Sequence, residues 1–195
     1  MRTIAGYILN MIPYIFVAIP VYVIVRFIIL HYSKKDFYWR HELTLLIFIL
    51  FIVGLTSQTI IPKFEFGING FGIVKSGKYR INLIPFKVLF ETYHEVFVHG
   101  NINYFLINFL GNIVMFIPLG FFVPLLWNIS NKKVLFIGFG SSLFIEFCQI
   151  FLIRGTDVDD LMLNTLGTLF GICLYKIFTK KFSHFKSKVQ KSPLS

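Results

Sequence analysis

Three short stretches of this sequence place amide, hydroxyl and acidic side chains within or beside apolar runs. Asn108 and Asn112 lie four residues apart, with Gly111 beside the second, so on a helix they share one face. Ser142, Glu146 and Gln149 stand at i, i+4 and i+7, again a single helical stripe. The third stretch is Arg154-Gly155-Thr156-Asp157-Val158-Asp159-Asp160, with Asn164 and Thr165 close behind. Polar groups are costly in an apolar medium, so they turn toward a bundle interior and find partners. Together these residues offer amides, a guanidinium, one carboxyl deep in an apolar run and three more beside it. Such a set can hold a polar head group, and Glu146 can act as a general acid or base.

Plainer roles exist for each. Amides within a membrane often join helices, for about 0.6–2 kcal/mol. Glu146 can be a paired or protonated structural carboxyl. Asp157, Asp159 and Asp160 can form a solvated loop and cap the next helix. Closely spaced carboxylates also take hard cations; these three aspartates would hold one, although the sequence assigns no metal site.

The elements that position these residues follow from composition. Of the 195 residues, 56% are hydrophobic and 14% charged. Soluble domains carry roughly 45–50% apolar and about 25% charged residues, so much of this chain meets lipid. A spanning helix needs about 20 mostly apolar residues. Five runs qualify: Ile4–Leu30, with Pro13 and Pro20 as expected kinks, Leu43–Ile61, Ile102–Trp127, Val134–Ile153 and Leu161–Phe178. The expected fold is all-α, a polytopic membrane helix bundle of about five transmembrane helices. A short extracytoplasmic loop containing a hairpin joins spans two and three. The divisions are 1–62 for two N-terminal spans, 63–101 for that loop, 82–178 for a three-helix core and 179–195 for a basic cytoplasmic tail. The first run is too long for a signal-peptide core and should remain as a span.

At about 1.5 Å per residue, Asn108, Asn112, Glu146 and Asn164 fall in the same half of the bilayer. Twelve of the 19 Lys and Arg residues lie on the side of the first loop, the third loop and the tail. That bias places the N-terminus outside and the C-terminus in the cytoplasm, with the polar residues toward the outer face. The lysines of the tail then meet anionic lipid, and the net charge of +10 needs no nucleic acid.

The segment Phe66–Ile73 reads as a hairpin around an Asn-Gly turn, and Phe86–Val98 as a short interfacial helix. His94, Glu95 and His99 resemble a zinc-protease motif, but the two histidines are five apart. On a continuous helix they diverge by about 140°, which argues against a metal site. Cys148 and Cys173 lie in apolar runs and read as packing residues. No cofactor motif is present. Gly167 and Gly171 have the small-xxx-small spacing that lets helices approach closely, within the chain or between copies of a homo-oligomer.

The same residues carry a family resemblance. The string Asn108-Phe-Leu-Gly111-Asn112-Ile-Val-Met-Phe116-Ile-Pro118-Leu-Gly120 resembles the central motif of the VanZ-like membrane proteins, the teicoplanin-resistance protein family. Ser142-Leu-Phe-Ile-Glu146-Phe-Cys-Gln149 and the stretch from Arg154 through Asp157, Asp159, Asp160 and Asn164 to Gly167 match in order and spacing. Upstream, Asn82-Leu-Ile-Pro85-Phe86 is similar to the family's short loop motif. The resemblance implies a bacterial envelope protein associated with reduced susceptibility to teicoplanin-type lipoglycopeptides. It fixes no reaction. The expected partners are membrane lipid and a lipoglycopeptide or cell-wall precursor. Asn108, Asn112, Ser142, Glu146, Gln149, Arg154, Asp157, Asp159, Asp160 and Asn164 are the candidate ligand-binding residues. An intramembrane enzyme with Glu146 as acid or base is the first alternative, although no Ser/His or Cys/His pair marks a nucleophile. A small transporter is the second, but no internal repeat supports it.

Overall fold

The computed structural model of the chain describes residues 4–34, 36–61, 64–67, 70–73, 81–152 and 155–190. Its helices are α1 (Ile4–Ser33), α2 (Trp39–Thr59), α3 (Lys87–Phe97), α4 (Ile102–Leu126), α5 (Asn131–Phe151), α6 (Val158–Lys181) and α7 (Ser183–Gln190). Four short strands accompany them: β1 (Phe64–Gly67), β2 (Gly70–Ile73), β3 (Ile81–Asn82) and β4 (Thr156–Asp157). Five helices are long and apolar enough to cross a membrane: Leu9–Ser33 within α1, then α2, α4, α5 and α6. The expected helical bundle is therefore what the chain forms, with span limits moved by a few residues.

The tightest packing is between α4 and α6, and glycine makes it possible. A Cβ built on Gly167 would sit 2.2 Å from the Ile113 carbonyl oxygen, and one on Gly171 would sit 2.2 Å from that of Ile117. From the other side, a Cβ on Gly120 would meet the Thr168 carbonyl oxygen at 2.1 Å. Gly167 and Gly171 thus bring two helices of one chain together. Both glycines are buried in that contact. Helix α5 joins the other flank of α6, with Gly138 facing the Thr168 side chain. Phe116, Leu119, Val123, Leu125, Val134, Ile145, Ile172 and Tyr175 fill the core between these helices and α2. Helix α1 packs chiefly against α2 and leaves Phe16, Val17 and Phe27 exposed, as a lipid-facing helix does.

Two features depart from the expected loops. Glu42 precedes the apolar run Leu43–Ile61 but lies in the first turn of α2, buried, where Arg26 of α1 makes an ion pair with it. The Arg26 Nε–Glu42 Oε2 distance is 2.7 Å, and the Tyr22 hydroxyl donates to the same oxygen at 3.0 Å. The basic tail also folds back. Helix α7 buries Val189, whose carbonyl oxygen lies 2.9 Å from His41 Nδ1, while Gln190 Nε2 donates to the Pro124 carbonyl at 3.2 Å. The start of α2, the end of α4 and the tail therefore share one end of the bundle.

At the opposite end, β3 pairs in parallel with β4, Ile81 against Thr156 and Asn82 against Asp157. This ties the connection before α3 to the connection before α6. The hairpin is present, with β1 antiparallel to β2 and Gly67 opposite Gly70. The two residues that close it, Ile68 and Asn69, lie outside the described residues.

Candidate functional site

The site is assembled where α4, α5 and α6 meet the β3–β4 pair. Its frame begins with Asp157, the N-cap of α6. The Asp157 side chain accepts the Asp159 backbone N–H at 2.9 Å, which satisfies a donor of the first helical turn. The same oxygen, Oδ1, accepts from Asn82 Nδ2 at 2.8 Å. The Asp157 backbone N–H donates to Glu146 Oε2 at 3.0 Å, joining α5 to this turn.

Asp159 turns the other way and holds the start of α3. Its two oxygens accept the backbone N–H groups of Phe86, at 2.5 Å, and Val88, at 2.7 Å. Phe86 is the N-cap residue of α3 and has a left-handed backbone, φ 65°, which is uncommon for a side chain of this size. Its own side chain provides no cap, so a carboxylate 73 residues away does so and favours the helix N-terminus. Asp159 is only 2% exposed. Its hydrogen bonds describe an anchor, with both oxygens facing N–H donors.

Asp160, one residue on, faces α4. Asn112 Nδ2 donates to Asp160 Oδ1 at 2.5 Å and also to the Asn108 carbonyl at 3.0 Å. Asn108 Nδ2 in turn donates to the Tyr104 carbonyl at 3.2 Å. Residues Phe105–Leu110 of α4 are π-helical, a widened turn frequent at functional sites. Asn108 lies in that stretch and Asn112 just beyond it. The carboxyls of Glu146 and Asp157 lie within electrostatic range of Asp160.

The candidates thus separate into groups. Asn108, Asn112 and Asp160 form one chain of contacts; Glu146, Asp157 and Asp159 form another; Asp160 lies between them. Asn164 and Ser142 pair with each other, Nδ2 to Oγ at 2.8 Å, both buried between α5 and α6. Among the described residues no donor reaches Asn164 Oδ1. Gln149 points elsewhere: its Nε2 reaches the Thr59 carbonyl of α2 at 3.4 Å. Arg154 lies outside the described residues, and α5 ends at Phe151 before reaching it.

Two participants were not among the sequence candidates. Asn82 bridges to Asp157, and the only sign of it was its place in the short upstream motif. Glu91 of α3 accepts from the Tyr104 hydroxyl at 2.5 Å, which ties α3 to the start of α4. Neither residue lies in a polar stripe, so periodicity gave no signal.

Residues 43–179 match the family model described as VanZ/LLP1. That range holds α4, α5, α6 and the β3–β4 pair, which build the site. No curated protein and no solved structure shows significant similarity to the chain. Matched over most of its length, this multi-pass membrane protein belongs to the VanZ-like family, VanZ/LLP1.

Proposed function

We propose that the chain is a bacterial cell-envelope protein that lowers susceptibility to teicoplanin-type lipoglycopeptides by holding their polar part at the Asn112–Asp160–Glu146 cluster. The observation that carries this reading is the contact set itself. Glu146, Asp157 and Asp160 meet amide and backbone N–H donors, and no described cation pairs with them. Such a cluster suits a ligand rich in amines and hydroxyls, since each carboxyl has acceptor capacity left. An amphiphile adds an acyl chain, and α5 presents Phe136, Phe144, Phe147 and Phe151 to the surrounding lipid for it to lie against. The protein acts as a binder without a reaction. In this reading the N-terminus and the cluster face outward and the tail lies in the cytoplasm.

The test is a gene deletion followed by teicoplanin susceptibility, complemented with the parent chain, Asn112→Ala, Glu146→Gln and Asp160→Asn at matched expression. Deletion should raise susceptibility severalfold, the parent chain should restore resistance, and the three variants should fail to restore it. Unchanged susceptibility after deletion would sink the reading.

One observation favours a second reading, an intramembrane enzyme acting on a lipid-linked envelope substrate. Glu146 accepts the backbone N–H of Asp157 at the turn that opens α6, and Asp160 follows in the first turn of that helix, so two carboxyls of one cluster lie within the bundle, an arrangement that acid–base chemistry uses. Full complementation by Glu146→Gln would dismiss it.

A further inference from the structure

The sequence spacing argued against a metal site at His94, Glu95 and His99, because a continuous helix would splay the two histidines. The helix is not continuous. It ends at Phe97, and the backbone then doubles back: the His99 N–H donates to the His94 carbonyl at 3.3 Å and the Asn101 N–H to the Glu95 carbonyl at 2.8 Å. Gly100 makes the turn with φ 67°, a left-handed conformation that glycine adopts without strain. His99 is thereby folded over the last turn of α3. The two imidazole centroids lie 4.8 Å apart with rings at 72°, and His99 Nδ1 lies 3.6 Å from Glu95 Oε1.

We propose that His94, Glu95 and His99 form a zinc(II) site with an open coordination position. One ligand atom from each residue lies within 4.8 Å of the other two. Tetrahedral zinc with bonds of about 2.0–2.1 Å places its ligand atoms roughly 3.3 Å apart. Side-chain rotations that close these separations by up to about 1.5 Å bring the three to that spacing. Two imidazoles and one carboxylate suit zinc over magnesium or calcium, which prefer all-oxygen sets. A second layer is already in place. Asn101 Nδ2 donates to Glu95 Oε2 at 3.1 Å, which orients the carboxylate and leaves Oε1 toward the histidines. His99 and Glu95 keep 54% and 32% of their side-chain surface, so the ion can enter and the fourth position is reachable. His94 and Glu95 also line an open cavity of about 560 Å³ with Lys87, Phe90, Glu91 and Tyr104, so two of the three residues border a groove. An ordinary surface ion pair needs only Glu95 and His99; the converging third ligand and the oriented carboxylate distinguish a metal site from it.

The experiment uses the full-length chain in detergent, purified without a polyhistidine tag and stripped with chelator. Cobalt(II) is titrated as a spectroscopic probe, followed by displacement with zinc(II) and metal analysis. The parent should take up one equivalent of cobalt with visible absorption of tetrahedral strength, and zinc should displace it. His94→Ala and His99→Ala should each lower affinity at least tenfold, and the double variant should bind none. Asn101→Ala should lower affinity by about 10–100-fold with the three ligands intact. The substituted ligands are exposed or half-exposed, and size exclusion with circular dichroism checks that every variant folds. If the double variant does not fold, His99→Asn alone decides. Absence of uptake by the parent, or binding undiminished by loss of His99, overturns the proposal.

Discussion

At the scale of single residues, Asp159 shows how one side chain can organise a distant element. It accepts two backbone N–H groups at the start of α3 across more than 70 positions of sequence. Hydrogen bonds to a charged group contribute about 1.5–3 kcal/mol each, enough to hold Phe86 in its left-handed conformation. Asp159→Ala should therefore release α3 while leaving the long helices assembled. Amide exchange over residues 87–97 should rise at least tenfold, with the helical circular dichroism nearly unchanged. Asp159→Asn should fall between the two, because its amide can accept one of the two N–H groups but not both as well. Exchange that stays at the parent level in Asp159→Ala would show that other contacts dock α3. This role was only half legible in the sequence. The aspartates were readable as helix-capping, and Asp157 does cap α6. That its neighbour caps a different helix depends on the β3–β4 pairing, which two-residue strands do not announce.

At the scale of elements, the α4–α6 contact sets the geometry of the site, because Asn112 and Asp160 meet only if those helices are close. Gly167 faces the Ile113 carbonyl one residue from Asn112. Gly167→Ala puts a methyl group where backbone already stands and must push the helices apart. Overpacking of this kind costs about 1–3 kcal/mol. The variant should unfold at lower temperature in detergent, and Gly167→Leu lower still, with no change in the mass of the protein–detergent particle. A change in that mass would return the glycines to an interface between copies. The small-xxx-small spacing was legible as close approach, but a one-dimensional pattern does not say which helix approaches. Spans were legible because hydropathy and length act locally. The Arg26–Glu42 pair was not, since Glu42 lies at the edge of an apolar run and only the packing of α1 on α2 buries it. The turn after α3 was hidden for a similar reason. A period of 3.6 residues assumes a helix that continues, and Gly100 ends this one.

At the scale of the whole molecule, the two ends of the bundle differ in chemistry. One end carries the carboxyl cluster, α3 and the β3–β4 pair. The other carries Lys132, Lys133, Lys180, Lys181, Lys186 and Lys188, with Arg40 stacked on Phe185 of α7. The contacts of α7 with His41 and Pro124 put these cations on one side whatever the membrane orientation. Lys and Arg near helix ends are retained on the cytoplasmic side, and a cluster there gains about 1 kcal/mol per residue from anionic lipid. The cation-rich end should therefore be cytoplasmic and the cluster outside. Single cysteines decide this in a background with Cys148 and Cys173 replaced by serine. A membrane-impermeant maleimide added to intact cells should label Asn101→Cys and leave Ser187→Cys unlabelled until the cells are opened. The reverse pattern would put the carboxyl cluster in the cytoplasm, out of reach of an external lipoglycopeptide. The binding reading would then fail even with every contact in the bundle unchanged, because the same arrangement of side chains serves a different compartment.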